Sequence, residues 1–510
     1  MKIVQIASEF APIAKAGGLG EVVLGLSREL TRQHHQVDVI LPKYSFIDPS
    51  KLTELAVEPT GGPNASNTIW SAAVEECRLH LIEPREEDYF RRSQIYGFPD
   101  DAPRFLHFCK AAMEYLAALK KPIDILHLHD WHAAACAPLL RGMFASKIRV
   151  GKVIFTIHNL EYQGKCGTRD LDAIGMKGAA YLTPGRLQDT NPLYPQSINL
   201  LKGGILYSDA VNTVSPSYAQ EIQEPSMGFG LDQFLKRAKV KGILNGVDQT
   251  VWNPAKDPHL AVRYHSSDPL AKIREAKNAN KRLLQEKFKL KSLGRPLVGA
   301  ITRLVPQKGI YLIQAAIEAV LDAGGAFALM GSSSSSAIQH QFDELKKRYK
   351  NHPHVFLEYR YSDPLAHLLY AALDFVLVPS LFEPCGLTQI IAMHYGTIPI
   401  VRSTGGLKDT VFDCEDGMVP LEKRNGFVFK EPTVEALRTT LQRAFSFWHA
   451  EQPTCLAMLR RMMETDCSWR KPAQEYLKLY LKSSPANKPA APAKITISTE
   501  THSKIGYRTG

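Results

Sequence analysis

The feature that most constrains the fold is a repeated alternation of short β-branched runs with segments of helical periodicity. In the first half the runs are KIVQIAS, QVDVIL, IDILHLH and KVIFTIH, and a helical pattern runs from Glu21 to Arg32. The alternation begins afresh after about residue 245, with PLVGAITR, AFALMG, HVFLEYR, DFVLVPS and TIPIV and a helical pattern from Tyr311 to Asp322. Such alternation predicts an α/β fold with parallel sheets, here in two doubly wound domains.

The length of the chain agrees with this division, because 510 residues exceed the usual single domain of about 100–200 residues. Asn-Gly, Asn-Pro and Asp-Pro pairs in LNGVDQTVWNPAKDPH indicate a hinge. We predict Rossmann-like domains over 1–245 and 246–465, and a helix over 466–482 that packs back toward the first domain. The segment 483–510 is rich in Pro, Ala, Ser and Lys, which predicts a disordered tail.

Composition excludes several classes of function. The net charge of +11 is spread along the chain rather than gathered in one basic stripe, which favours a small anionic substrate over nucleic acid. No apolar run approaches the roughly 18–20 residues of a membrane helix, and the amino terminus lacks a secretion signal, so we expect a cytoplasmic protein without membrane contact. The eight cysteines are scattered without a C-x-x-C pair, which argues against disulfides and a cysteine metal site.

Ligands of open parallel sheets bind beyond the carboxyl ends of the strands, so the loops after the strands are the places to search. The first such loop is KAGGLG, which begins at Lys15. Its glycines let backbone amides approach an anion, and the lysine adds a full charge. A plain strand-to-helix turn is the alternative interpretation.

Two further polar blocks follow strands of the first domain. HDWH contains Asp130 and Trp131, a carboxylate beside an aromatic ring, as sugar sites require. A helix cap with a core tryptophan and a zinc pair of histidines are the alternatives, although the zinc site lacks a third ligand nearby. The second block is TIHNLEYQG, residues 156–164, which contains His158 and Asn159. Polar groups this dense at a strand end favour a binding site.

The second domain has two blocks of this kind. TRLVPQKG contains Arg303 and Lys308, which can hold a phosphate and neutralise the charge of a leaving diphosphate. PSLFEPCGLTQ contains Glu383, whose carboxylate can accept sugar hydroxyls, before a predicted helix start. Surface basic residues are the alternative for the first block. Cys385 has no histidine partner beside it, which argues against a cysteine nucleophile.

Together, in this order, K-A-G-G-L-G, H-D-W-H, T-I-H-N-L-E-Y-Q-G, I-L-N-G-V-D, T-R-L-V-P-Q-K-G and P-S-L-F-E-P-C-G-L-T-Q resemble the bacterial glycogen synthase and plant starch synthase family over residues 1 to 482. The resemblance implies a glycosyltransferase of the GT-B architecture, with two Rossmann-like domains facing a central cleft. The first domain would lie on the acceptor side, and the second would bind the nucleotide sugar. The implied reaction extends an α-1,4-glucan (glycogen) from ADP-glucose with retention of configuration, without a metal or another cofactor.

The resemblance also assigns roles to individual residues. The catalytic set is His158, Glu383, Arg303, Lys308 and Lys15. The residues placed at the donor are Lys15, Gly17, Gly18, Gly20, Tyr96, Asn245, Arg303, Lys308, Cys385, Gly386, Leu387 and Thr388. The residues placed at the glucosyl group or the glucan are Asp130, Trp131, His158, Asn159, Tyr162 and Gln163. The backbone carbonyl of His158 would favour positive charge at the anomeric carbon, and its ring would lie near the glucose 6-hydroxyl.

Some features leave alternatives open. The serine run after Gly331 replaces a loop that usually has a second glycine, so UDP-glucose remains an alternative donor. Another acceptor, such as a small or lipid-linked sugar, is a further alternative. A glucan-binding scaffold without catalysis is the alternative outside enzymes, and the presence of Lys15, Arg303, Lys308 and Glu383 argues against it. The sequence predicts no particular oligomeric state.

Overall fold

The structure is a computed structural model that describes residues 1–59, 67–74, 76–84, 88–333, 335–450 and 453–482. The strands of this described part are β1 Lys2–Ile6, β2 Gln36–Pro42, β3 Thr53–Pro59, β4 Asn67–Val74, β5 Cys77–Pro84, β6 Ile123–His129, β7 Val150–Ile157, β8 Lys165–Cys166, β9 Ile198–Asn199, β10 Ala210–Thr213, β11 Lys241–Gly242, β12 Leu297–Arg303, β13 Ala326–Ser332, β14 Val355–Glu358, β15 Phe375–Val378, β16 Ile398–Arg402 and β17 Phe427–Phe429.

The α-helices of the same described ranges are α1 Gly18–Arg32, α2 Asp101–Leu119, α3 Asp130–Ala134, α4 Cys136–Arg141, α5 Thr168–Ala173, α6 Gly178–Tyr181, α7 Leu200–Tyr207, α8 Pro216–Glu221, α9 Asp232–Ala238, α10 Leu270–Phe288, α11 Ile310–Asp322, α12 Ser336–Arg348, α13 Asp363–Ala372, α14 Thr388–His394, α15 Gly405–Thr410, α16 Val434–His449, α17 Pro453–Glu464 and α18 Arg470–Leu481. The helices predicted after the first strand of each domain are α1 and α11.

The first sheet has the order β11-β10-β7-β6-β1-β2-β5-β4-β3. Its strands are parallel except at one edge, where β4 pairs antiparallel with β3 and with β5. The central strands are buried on both faces, which is why they read as continuous apolar runs rather than as alternating ones. Parallel pairing brings the carboxyl ends of β1, β6 and β7 to one edge of the sheet.

The second sheet has the order β14-β13-β12-β15-β16-β17 and is parallel throughout its described strands. It therefore confirms the predicted second doubly wound unit. The change of direction in the strand order lies between β12 and β15, and the loops after these two strands carry Arg303, Lys308 and Glu383. A change of this kind is where doubly wound sheets bind their ligands.

Each sheet has its own hydrophobic core. Ile243 belongs to the first core and Val247 to the second, and the predicted break after residue 245 lies between them. The last helix, α18, returns to the first core, to which Trp469, Tyr476 and Tyr480 belong. The predicted disordered tail, 483–510, lies outside the described residues.

The close approach of the chain to Trp469 requires glycine at two positions. A Cβ atom on Gly25 of α1 would lie 2.0 Å from Trp469 Nε1, and one on Gly246 would lie 2.7 Å from the Trp469 backbone. The crossing from the second unit back to the first is therefore packed tightly against both α1 and the linker.

Direct hydrogen bonds join the two units at α8 and α15. The Glu221 carboxylate accepts from the Gly405 amide at 2.8 Å, and Asp409 accepts from the Ser217 amide and hydroxyl at 2.8 and 2.7 Å. These contacts hold the carboxyl edges of the two sheets toward each other. No described helix is long and apolar enough to cross a membrane.

Candidate active site

A small pocket lies at the carboxyl ends of β12 and β15 in the second unit. Its lining combines strand ends with the loop that precedes α14. The residues that line it are Ile301, Thr302, Lys308, Leu377, Val378, Pro379, Ser380, Glu383, Gly386, Leu387 and Thr388. Five of them, Lys308, Glu383, Gly386, Leu387 and Thr388, are among the predicted site residues.

An ion pair occupies one side of this pocket. Lys308 Nζ lies 2.5 Å from Glu383 Oε2, and the Ser380 hydroxyl donates to the same oxygen at 2.8 Å. The side chains of Lys308 and Glu383 are only 17% and 7% exposed. Because both contacts use Oε2, the other carboxylate oxygen keeps its capacity to accept hydrogen bonds from a ligand.

The backbone on either side of Glu383 is set by glycines. Gly309, which follows Lys308, has φ of 66°, and a Cβ atom there would lie 2.2 Å from the Pro379 carbonyl oxygen. Gly386 has φ of 74°, and a Cβ atom there would lie 2.4 Å from Gln389 Oε1. Both positions require glycine, since the left-handed region is costly for other residues and a neighbouring group occupies the space.

The remaining predicted residues of the second unit differ in exposure. Arg303 is exposed. Partial burial raises the pKa of Glu161, a residue of the first unit, and the positive charge of Arg303 acts to lower it. Arg303 therefore faces the HNLEYQG loop across the cleft. Cys385 is buried, and burial raises the pKa of its thiol to about 12, so the thiol stays protonated and is a poor nucleophile.

Two backbone amides of the KAGGLG loop bind a carboxylate, Glu9, that the sequence interpretation overlooked. Glu9 Oε2 accepts from the backbone amides of Ala16 and Gly17 at 2.8 and 2.9 Å, and Glu9 itself is 3% exposed. The structure thus places a carboxylate on amides that the sequence interpretation assigned to an anion. The rule that chemistry follows a strand could have found Glu9, because it lies three residues after β1.

Lys15 is less enclosed than Lys308. Its Nζ lies 2.7 Å from Glu21 Oε1, and the two side chains are 32% and 22% exposed. Gly18, three residues after Lys15, faces the second unit, since a Cβ atom there would lie 3.5 Å from Leu387 Cδ1. Gly20 is instead packed against its own domain, 3.1 Å from the Ala11 amide by the same measure. The KAGGLG loop and the start of α14 therefore face each other across the cleft.

A second contact crosses the cleft at the HNLEYQG loop. The Asn159 side-chain amide donates to Gln307 Oε1 at 3.3 Å, and Asn159 Oδ1 accepts from the Glu161 amide at 3.0 Å. Gln307 lies between Arg303 and Lys308 in TRLVPQKG and was not singled out from the sequence. Its place within that motif was the available signal.

Asp130 supports the same loop from below. Its Oδ1 accepts from the His158 amide at 2.7 Å and from the Asn159 amide at 3.4 Å. Asp130 has φ of 56°, which is strained for a residue other than glycine and is typical of functional sites. Burial raises its pKa to about 7, although both amide contacts favour the charged form. The structure gives Asp130 a supporting role for the loop.

The histidines beside Asp130 are neutral. Burial lowers the pKa of His158 to about 3 and that of His129 well below its usual range. His129 Nδ1 lies 3.0 Å from His158 Nε2. At neutral pH the His158 ring therefore presents hydrogen-bonding groups rather than charge to the cleft.

Three other predicted residues are divided between core and surface. Trp131 is 8% exposed and packs edge-on to Phe105, which matches the alternative of a core tryptophan. Gln163 is buried and donates to the Leu160 and Phe229 carbonyls. Tyr162 is 45% exposed on the surface of the same loop.

Tyr96 and Asn245 lie beside residues of the site. The Tyr96 hydroxyl donates to Glu9 Oε1 at 2.8 Å and is 2.7 Å from the Ser8 hydroxyl. Asn245 is buried, and its backbone and side chain hydrogen-bond to the sulfur of Cys385. Its Oδ1 has no hydrogen-bond partner among the described residues. An unpartnered buried oxygen beside the pocket can accept a hydrogen bond from a ligand.

Comparison with known proteins agrees with this geometry. The starch synthase catalytic domain family matches residues 2–237, and the glycosyl transferases group 1 family matches residues 295–446. Glycogen synthase of Protochlamydia amoebophila is 45% identical over 96% of this chain and all of its own length. Glycogen synthase 1 of Nitrosococcus oceani is 40% identical over 94% of this chain and 99% of its own. The chain belongs to the glycogen and starch synthase family.

A solved structure of this family gives the same architecture. The catalytic domain of starch synthase IV from Arabidopsis thaliana, bound to ADP and acarbose, superposes with a TM-score of 0.88 at 41% identity, over 94% of this chain and 98% of that one. Sucrose-phosphate synthase from Thermosynechococcus elongatus shares the fold alone, with a TM-score of 0.58 at 19% identity over 94% and 98% of the two chains. The predicted GT-B fold is thereby confirmed, and the protein is a glycosyltransferase.

As in this family, a nucleotide-sugar donor and a glucan acceptor are the substrates to consider. Cationic side chains from both units surround the cleft: Lys15 from the first, and Arg303 and Lys308 from the second. Within the described ranges, no group of three His, Cys, Asp or Glu side chains is arranged to hold a metal ion.

Proposed function

We propose that this glycosyltransferase moves glucose from ADP-glucose to the non-reducing end of an α-1,4-glucan, with retention of configuration and without a metal or another cofactor. Glycogen would be the product. The observation that carries the proposal is the Lys308–Glu383 pair in a half-enclosed pocket that faces the KAGGLG loop. The names of the relatives, and the ADP bound to the starch synthase IV structure, support the donor and the acceptor.

The donor would lie with its diphosphate among Lys15, Arg303 and Lys308 and its glucosyl group toward Glu383. A diphosphate beside Lys308 competes with Glu383 for the ammonium group, so donor binding would loosen the 2.5 Å pair. The carboxylate released in this way can accept hydrogen bonds from the sugar hydroxyls. The site would therefore exchange an internal ion pair for contacts with both halves of the donor.

The transfer itself breaks the bond between the anomeric carbon and the diphosphate oxygen. The acceptor 4-hydroxyl would attack from the same face, and its proton would pass to the departing diphosphate. This order of events retains the configuration through an oxocarbenium-like state. The cationic side chains would stabilise the leaving group, and each well-placed hydrogen-bond donor of this kind contributes about 2.7–4 kcal/mol to the stabilisation of the transition state.

Glucan would reach the cleft along the HNLEYQG loop, where Tyr162 is exposed and Asn159 bridges to the second unit. The described cysteines are free thiols, which supports a cytoplasmic location as part of the proposal. No nucleic acid or membrane partner is proposed.

The deciding experiment is the incorporation of labelled glucose into glycogen from ADP-glucose and, in parallel, from UDP-glucose, with EDTA present. We expect transfer from ADP-glucose that EDTA does not affect and that Arg303→Ala reduces strongly. Arg348→Ala is the matched control, because Arg348 is an exposed arginine at the end of α12. Preference for UDP-glucose would overturn the donor assignment, and loss of transfer with EDTA would overturn metal independence. No transfer from either donor would favour another acceptor or a binding scaffold.

A further inference from the structure

A chain of hydrogen bonds inside the first unit ends on His158. Gln5 Nε2 donates to the Ser27 hydroxyl at 2.7 Å, which directs Gln5 Oε1 toward His129 Nε2 at 2.8 Å. His129 Nδ1 is in turn 3.0 Å from His158 Nε2. Gln5, Ser27 and His129 are fully buried, whereas His158 is partly exposed at the cleft. The chain thus runs from the interior of the domain to the active site.

The donors and acceptors along this chain can be assigned in order. Gln5 Oε1 only accepts, so His129 must carry its proton on Nε2. A neutral imidazole has one N–H group, which makes His129 Nδ1 an acceptor. His158 must then donate through Nε2, and its Nδ1 keeps a free lone pair.

The assignment requires that both rings are neutral, and their surroundings ensure this. Burial is the largest cause of the lowered pKa of each, and for His129 the neighbouring His127 and His158 lower it further. Among the described residues, no carboxylate is hydrogen-bonded to either ring. A second proton on His129 would also lie on Nδ1, where it would face the Nε2–H group of His158.

We infer that Gln5 and His129 are positioning residues that hold His158 as its Nε2–H tautomer, so that Nδ1 is presented to the substrate as a hydrogen-bond acceptor. The tautomer follows from this hydrogen-bond chain with the Gln5 amide oriented as in the structure, whereas its contact with the substrate rests on the proposed function. An acceptor nitrogen selects a sugar that offers a hydroxyl proton at this point. A sugar nucleotide that lacks that hydroxyl leaves Nδ1 without a hydrogen-bond partner and is bound less tightly in the transition state.

A neighbouring chain provides a matched control. His127 Nδ1 lies 2.9 Å from the Tyr480 hydroxyl, and His127 Nε2 lies 2.7 Å from the Thr156 hydroxyl, which donates onward to Asn212. This chain fixes the tautomer of His127 in the same manner. It ends on α18 and makes no hydrogen bond to His158 among the described residues. Tyr480→Phe therefore removes a buried hydrogen bond to His127, whose ring lies 4.1 Å from that of His129, and leaves every hydrogen bond of the chain from Gln5 to His158 in place.

The first test is nitrogen-15 NMR of the full chain with labelled histidine, with the His158 signals identified by their loss in His158→Asn. We expect a protonated Nε2 and an unprotonated Nδ1 on His158, unchanged between about pH 6 and pH 8. A protonated Nδ1, or an imidazolium, would overturn the inference. This test needs only His158→Asn to fold, for the assignment of the signals, and its result does not depend on which substrate the enzyme uses.

The second test compares Gln5→Met with Tyr480→Phe. Methionine has a similar shape but no amide acceptor, so we expect mixed tautomers of His158 and a loss of about three- to tenfold in kcat/KM for the glucosyl donor. Tyr480→Phe should leave the His158 signals and kcat/KM unchanged. An unchanged His158 spectrum in Gln5→Met, or equal losses of activity in both variants, would overturn the positioning role.

A set of monodeoxyglucose donors links the tautomer to the substrate. With the wild-type enzyme, one of these glucosyl donors should show a loss in kcat/KM about equal to that caused by Gln5→Met. That donor lacks the hydroxyl from which Nδ1 accepts a hydrogen bond. With that donor, Gln5→Met should cause no further loss. Additive losses with every deoxy donor would remove Nδ1 from substrate recognition. Absence of glucosyl transfer in the wild type would instead contradict the proposed function and leave the NMR result standing.

Discussion

The two walls of the cleft are built with opposite electrostatics. The first-domain wall presents groups that burial keeps neutral or half-protonated near pH 7: the pKa of His158 is lowered to about 3, and that of Asp130 is raised to about 7. The second-domain wall presents a buried ion pair, Lys308 with Glu383, at 2.5 Å. Lys15 and Glu21 form an ion pair on the first wall, and their side chains are 32% and 22% exposed.

The difference matches the chemistry of the two substrates. A diphosphate needs compensating charge, and in the proposed function the second wall supplies it from largely buried side chains, where a charge acts strongly. Sugar hydroxyls need donors and acceptors in fixed directions, and the neutral histidines and the Asp130-supported loop of the first wall supply those. Closing the cleft would bring the two kinds of group onto one reacting carbon.

The largest expected effect on the second wall comes from Lys308→Ala. Removal of the lysine should lower kcat about 10²- to 10³-fold, because a buried ammonium at the leaving group acts mainly in the transition state. Far-UV circular dichroism should show an intact fold. Lys350→Ala, an exposed lysine beyond α12, is the control in the same assay. Near-normal turnover in Lys308→Ala would remove this lysine from the mechanism.

Asp130→Asn tests the neutral character of the first wall. The folded-state pKa of about 7 lies above the ordinary aspartate value of 3.8, so the folded protein binds the extra proton between about pH 4 and pH 7. The stability due to this proton is present below about pH 4 and is lost as the pH rises through 7. Asparagine lacks this dependence, so the stability of Asp130→Asn relative to wild type should rise over that range, by about 2–3 kcal/mol.

The measurement is the shift in thermal unfolding midpoint of Asp130→Asn against wild type at several pH values between about 4 and 8. Asp416→Asn, at an exposed aspartate, should show no such trend. A pH-independent difference for Asp130→Asn would mean that this carboxyl titrates normally.

Two glycines at the cleft, Gly386 and Gly18, should respond unequally to substitution by alanine. Gly386→Ala should destabilise the protein by about 2 kcal/mol, since φ of 74° is unfavourable and the new Cβ atom would meet Gln389. Gly18→Ala should be nearly neutral for stability, because its Cβ atom would make an ordinary contact at 3.5 Å with Leu387. Thermal unfolding of the two variants compares them directly, and equal losses would contradict the difference in backbone constraint.

Lys15→Ala gives the smallest expected effect. The Lys15 side chain is 32% exposed, so water compensates much of its charge, and we expect a loss of about tenfold in kcat/KM. Lys121→Ala, at an exposed lysine of the same domain, is the control. A loss as large as that of Lys308→Ala would show that closure of the cleft buries Lys15 as deeply as its counterpart.

Much of this site was accessible from the sequence because the motifs follow strands. Lys308 and Glu383 lie 75 positions apart, yet both come after strands of one parallel sheet, and the carboxyl edge brings them together. Glu9 and Gln307 were missed although each lies close to a recognised motif. A carboxylate near a glycine loop has many possible partners, and nothing in the sequence shows that it accepts from the loop's own amides.

Trp131 shows the same limit from the other direction. An aromatic residue in HDWH is compatible with a sugar platform and with a core residue, because local pattern does not report what packs against a ring. The structure places Gly164 so close to this ring that a Cβ atom there would lie 2.2 Å from Trp131 Cε3. The packing of two loops that are distant in sequence, not the motif itself, made this tryptophan a core residue.

By itself the sequence determined the two α/β units, the order of their strand-end motifs and the residue types available for chemistry, since periodicity and local turns are written in neighbouring residues. Only the tertiary structure decided which of those groups are charged, which are neutral and which proton each histidine carries. These properties depend on burial and on hydrogen-bond partners from distant segments, such as Gln5 with His129, 124 positions away. Long-range packing therefore set the electrostatics of a site whose members the local sequence had already supplied.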